Sequence, residues 1–168
     1  MKRLLLIFVT FFIVSGCTNN DEILSIENTQ SVYVGNVEPR EVSIIIKDAA
    51  FSAYPDRFCW NKDIKVCKKM EPRHPKDVEV KHNLPIGRVE VGEVVKIQYD
   101  FSNYSTLPKG NHFELMLYQG DEIIPIEVKE ESFIVPDIKG MQYYVYKVTS
   151  DKEYKGIAYH TFVLNAQE

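Results

Sequence analysis

Apolar and polar residues alternate along much of this chain with a period of two, the signature of half-buried β-strands. Over 94–101, Val95, Ile97, Tyr99 and Phe101 fall on one face, and Lys96, Gln98 and Asp100 on the other. Over 112–118 the apolar set is Phe113, Leu115 and Leu117, opposed by His112, Glu114 and Tyr118. Alternation or richness in strand-forming residues predicts further strands at 31–37, 42–48, 78–82, 123–128, 132–135, 142–149 and 156–164. Gly120-Asp121 fits a two-residue hairpin loop, and Pro125, lacking an N–H, places its strand at a sheet edge. Within 142–149, Tyr144, Tyr146 and Val148 share the packed face and Tyr143 lies outside it. Helical spacing is nearly absent; 21–29 has room for a turn or two.

About nine short strands separated by turn residues at spacings of roughly 8–15 residues predict an all-β fold, an antiparallel β-sandwich. Val91-Gly92-Glu93-Val94-Val95-Lys96-Ile97 resembles the opening strand pair of an immunoglobulin-type module, and Tyr154-Lys155-Gly156-Ile157-Ala158-Tyr159 resembles a late-strand corner. The resemblance covers 89–164 and implies an immunoglobulin-like arrangement of strands. It departs from antibody domains in lacking their inter-sheet cysteines and core tryptophan, since Cys59, Cys67 and Trp60 lie outside that span. Residues 31–168 are read as one domain, with 54–76 as an insertion that breaks the strand rhythm.

The first sixteen residues follow a different rule. Lys2 and Arg3 precede an uninterrupted apolar run of eleven residues, Leu4 through Val14, and small residues follow. Eleven is too short to span a hydrocarbon core, which takes about twenty residues as a helix. Val14-Ser15-Gly16-Cys17 resembles the lipobox of bacterial lipoproteins. The resemblance implies cleavage after residue 16, lipid on Cys17, and a location in the cell envelope, membrane-anchored and facing periplasm or cell surface. Residues 17–30 are then the lipidated cysteine and a polar leash.

Charge narrows the partners. The 168-residue chain has 20 basic and 24 acidic side chains; without Lys2 and Arg3 the balance is 18 against 24, or −6. That argues against nucleic acid, whose phosphates call for clustered Lys and Arg. The charge is also sorted. Residues 54–76 contain seven basic side chains (Arg57, Lys62, Lys65, Lys68, Lys69, Arg73, Lys76) and three acids (Asp56, Asp63, Glu71), giving +4, so the rest of the mature chain carries −10.

With Cys17 assigned to lipid, Cys59 and Cys67 remain, an even count in an exported chain. They suit a disulfide staple across a short loop. Free thiols or a metal pair are the competing readings, although seven intervening residues match no common zinc knuckle. Phe58 and Trp60 flanked by Lys62, Lys65, Lys68 and Lys69 combine interface-type aromatics with steering charge, and these six residues are the expected partner-binding set. The bland alternative has the two aromatics capping one end of the sandwich.

Catalytic motifs are missing from the sequence: no G-x-S-x-G, S-x-x-K or H-E-x-x-H and no Gly-rich phosphate loop. The expectation is a non-enzymatic protein without a cofactor, and a small-molecule ligand is not expected. It would bind another envelope protein, as a docking subunit, inhibitor or immunity-type factor. An anionic envelope polymer or lipid head group bound by the basic 54–76 loop is the alternative. A copper carrier using His82, His112, Met116 or His160 is the third.

Overall fold

In the computed structural model, which describes residues 40–60, 67, 70–99, 111–150 and 155–168, two β-sheets face each other across a shared apolar core. The signal sequence, Cys17, the leash and the strand expected at 31–37 lie outside the described residues. The smaller sheet has the order β2-β1-β5-β8, built from β1 (Val42–Ile46), β2 (Ala49–Ser52), β5 (Val94–Tyr99) and β8 (Ser132–Ile134). The larger has the order β3-β10-β9-β6-β7, from β3 (Tyr54–Trp60), β6 (Asn111–Gln119), β7 (Glu122–Ile126), β9 (Gly140–Ser150) and β10 (Gly156–Gln167). β4 (Ile86–Glu90) runs parallel to the end of β10, the one parallel pairing among the described strands.

From β4 onward the strands are divided as in an immunoglobulin-type sandwich. β5 and β8 pair in one sheet, and β6, β9 and β10 pair in the other with β7 added at the edge. The alternation read from sequence is what closes the core. Val95, Ile97 and Tyr99 from β5 face Leu115 and Leu117 from β6 and Tyr144, Tyr146 and Val148 from β9. Tyr144 stacks on Phe162 with ring centroids 4.9 Å apart, and its hydroxyl donates to the Gln142 side-chain oxygen. Tyr143 is on the opposite face, packed against Val78, Leu84 and Val163. Gly120-Asp121 forms the two-residue β6–β7 loop, with Gly120 at φ +60, and β7 with Pro125 is an edge strand. At Gly87 the β1–β2 hairpin and β4 come very close: a Cβ there would lie 2.8 Å from side-chain atoms of Ile46, Phe51 and Leu164.

The strand expected at 78–82 is instead part of a helix, α1 (Pro75–His82). Val78 is buried but Val80 is 72 % exposed, so the alternation of V-E-V-K-H reports one inward position and not a strand face. The terminal residues explain the helix. His74 is the N-cap, and its Nδ1 accepts from the Lys76 N–H. Pro75 opens the first turn, where its missing N–H costs nothing. Asp77 sits near the start, Lys81 and His82 near the end, and Asn83 ends it in the left-handed conformation.

The helix and the segment before it cover the outside of the large sheet. β10 is buried without interruption from Gly156 to Leu164, because its inner residues meet the sandwich core and its outer ones meet this covering. Val163 and Tyr143 pack under Val78 and Leu84, while Val145, Ile157 and Tyr159 pack against Met70, Met116 and Tyr118.

Candidate functional site

The basic insertion starts in β3 and returns over the sheet it has just joined. β3 pairs antiparallel with β10 from Trp60↔Gly156 to Tyr54↔Thr161. The register shifts between Tyr159 and His160, so Arg57 opposes Tyr159, Pro55 opposes His160, and Asp56 is the extra residue of a β-bulge. Strict alternation would send Asp56 toward the core, next to Phe58. The bulge leaves it free to meet the returning chain instead.

That meeting is the centre of the arrangement. Asp56 is fully buried, and Arg73 answers it three times: Nε and a terminal guanidinium nitrogen each lie 2.5 Å from Oδ1, and the Arg73 N–H donates to Oδ2 at 3.0 Å. Burying a carboxylate is costly unless charge and hydrogen bonds both compensate it, and here they do. Further bonds hold the same strip of chain. Arg57 donates to the Glu71 carbonyl at 3.0 Å, and the Tyr159 hydroxyl donates to the Met70 carbonyl at 3.0 Å. Because His74 Nδ1 accepts from Lys76, Nε2 carries the hydrogen and donates to the Gly120 carbonyl at 3.0 Å, which ties the strip to the β6–β7 turn. On the other flank, Tyr54 stacks on His82 with centroids 4.4 Å apart. Burial, followed by the charges of Arg73 and Lys81, lowers the His82 pKa.

Cys59 and Cys67 are joined by a disulfide, with Cα atoms 5.4 Å apart. Both are buried, at 3 % and 0 % exposure. The insertion is therefore closed twice at its base, covalently at 59–67 and electrostatically at Asp56–Arg73. Trp60, Gly156, Ser150 and Asn111 lie in register at the ends of β3, β10, β9 and β6.

Of the expected partner-binding residues, Phe58 is corrected. It is 2 % exposed, on the inner side of β3 opposite Ala158, and so offers no surface to a partner. An aromatic residue in a strand that faces a core obeys its face before its loop. The backbone of Trp60 closes the ladder against Gly156, while its side chain and Lys62, Lys65, Lys68 and Lys69 lie outside the described residues. Arg73, counted with the basic cluster, has its charge committed to Asp56.

The histidines and Met116 are not brought to one place. His160 is on the inner face of β10 at 1 % exposure, and His82 is on α1 against Tyr54. His112 and Met116 do share the outer face of β6, but four residues along a strand are about 13 Å apart, too far to share an ion. Among the described residues no group of three His, Cys, Asp or Glu side chains could hold a metal.

Sequence reasoning missed Asp56 and Arg73 as a pair and missed the covered outer face. One signal was present: Ile157-Ala158-Tyr159-His160-Thr161-Phe162-Val163-Leu164 does not alternate, as expected of a strand buried on both faces. No protein-family model, curated protein or solved structure matches the chain.

Proposed function

We propose that this chain is a non-enzymatic lipoprotein of the bacterial cell envelope, tethered through lipid on Cys17, that docks on another envelope protein with the loop between Cys59 and Cys67. The observation that supports this best is the double closure at the loop's base. A solvated decoration needs neither a buried disulfide nor a buried ion pair. A recognition loop gains from both, because a loop already held in place loses less freedom on binding. The lysines Lys62, Lys65, Lys68 and Lys69 would steer the encounter and Trp60 would supply the apolar anchor. Phe58 belongs to the foundation and not to the contact.

The test is cross-linked capture from native envelopes at low and high salt. It compares the wild type with a variant carrying Trp60→Ala, Lys65→Glu and Lys68→Glu. A protein captured by the wild type at both salt concentrations and lost from the variant is the expected result. Binding that collapses at high salt and yields only glycan or lipid would favour the anionic polymer instead. Equal capture by both chains would move the contact away from the loop. The tether has its own check, the intact mass of the exported chain, which is expected to include acyl groups in the wild type and not in Cys17→Ala.

A further inference from the structure

His160 is the one buried histidine of the described residues, and neither ring nitrogen has a hydrogen-bond partner. It sits on the inner face of β10, with the Tyr99 ring edge-on at 6.4 Å between centroids. Across the ladder in β3 stands Pro55, which has no N–H to donate, and beside it the Asp56 bulge leaves one residue unpaired. The β3–β10 ladder is therefore thinnest at His160, and β3 is the edge strand of its sheet.

Among the described residues, the surroundings offer a proton no counter-charge. From β3, Asp56 is bound to Arg73 and Arg57 to the Glu71 carbonyl. From β9, Tyr146 lies across the ladder, and Lys147 is on the outer face, paired with Glu114. From β5 comes Tyr99, on which the cation Arg40 acts, and from β6 comes Phe113, stacked on Tyr146. Glu131 acts on Tyr146 and not on the imidazole.

We propose that His160 is an acid-sensitive latch: its protonation detaches β3 from β10 and so loosens the foundation of the stapled loop while the rest of the sandwich stays paired. A charged imidazole in this position has no acceptor among the described residues, and the shortest way to hydrate it is to part β10 from the edge strand β3 at the His160–Pro55 step of the ladder. Burial alone holds the His160 pKa down, to about 3, so protonation at milder acidity has to go through opening. The latch does not depend on what the loop binds.

Amide hydrogen exchange on the full exported chain, corrected for the intrinsic pH dependence of exchange, tests this between about pH 7.5 and about pH 5. Below about pH 6.5, the ordinary histidine pKa, protection in β3 and in its β10 partners is expected to fall by up to tenfold per pH unit. Protection in β6 and β9 is expected to hold, and in His160→Leu the fall in β3 should vanish. A β3 whose protection ignores pH overturns the latch. So does an equal fall in His160→Leu, which would point to His74 or His82 on the covering segment, and so does simultaneous loss in β3, β6 and β9, which would be global unfolding. Should His160→Leu fail to fold, NMR titration of the wild-type ring decides the matter: protonation that tracks β3 exchange supports the latch, and protonation with β3 still protected refutes it.

Discussion

Asp56 has no water to turn to. Its carboxylate is wholly buried and every contact described for it runs to Arg73, whose own side chain is 19 % exposed. Removing one partner of such a pair leaves the other charge stranded, at a typical cost of 3–5 kcal/mol, so Asp56→Ala is expected to lower the unfolding free energy by about 3 kcal/mol. Denaturant unfolding followed by fluorescence measures it; a midpoint unchanged from the wild type would show that the pair does not anchor the segment. Isosteric replacement of both partners by apolar residues is a different experiment, since a well-packed apolar pair can substitute for a buried ion pair without loss. What matters for the site is placement. A bulge of one residue aims Asp56 at the returning chain, and no spacing rule in the sequence announces a bulge.

At the scale of elements, the staple and the covering segment act together. The Cys59–Cys67 bond closes a short loop, and its removal in Cys59→Ala, Cys67→Ala is expected to destabilise the chain by about 2–3 kcal/mol. Thermal unfolding of oxidised wild type against the double variant reads this directly, and equal melting temperatures would mean that the buried sulfurs contribute nothing. Elements with one buried face were legible from sequence. β5 and β6 alternate plainly, Pro125 marked its strand as an edge, and Tyr144 and Tyr146 were separable from Tyr143 by phase alone. Other features were not legible: β2, β3 and β4 were not expected as strands, α1 was expected as one, and β10, though expected as a strand, was not read as buried on both faces. α1 is too short for helical periodicity to register, with only Pro75 and Val78 buried, and its sequence alternates by accident. β10 does not alternate because α1 and the segment before it cover its outer face, and a covering of that kind is a tertiary fact. The candidate site was half legible: charge sorting and the cysteine pair marked the insertion, while its electrostatic foundation and the inward turn of Phe58 needed the fold.

Across the whole molecule, the two outer faces of the sandwich differ. The outer face of the large sheet is covered by α1 and the 70–74 segment, whereas the smaller sheet presents Val94, Lys96, Gln98 and Ile134 to solvent. The covering segment is held by the Asp56–Arg73 ion pair and the His74–Gly120 contact, next to the Cys59–Cys67 disulfide. The basic 54–76 segment belongs to a chain whose remaining charge is strongly acidic. A partner drawn by positive charge would therefore be oriented toward one end of the molecule. The most direct measurement is site-specific photocross-linking in native envelopes, with the reactive group placed either at position 65 in the stapled loop or at position 96 on the open face of the small sheet. A discrete protein adduct from position 65 and none from position 96 is the predicted result. An adduct from position 96 alone would contradict the assignment of the loop as the contact.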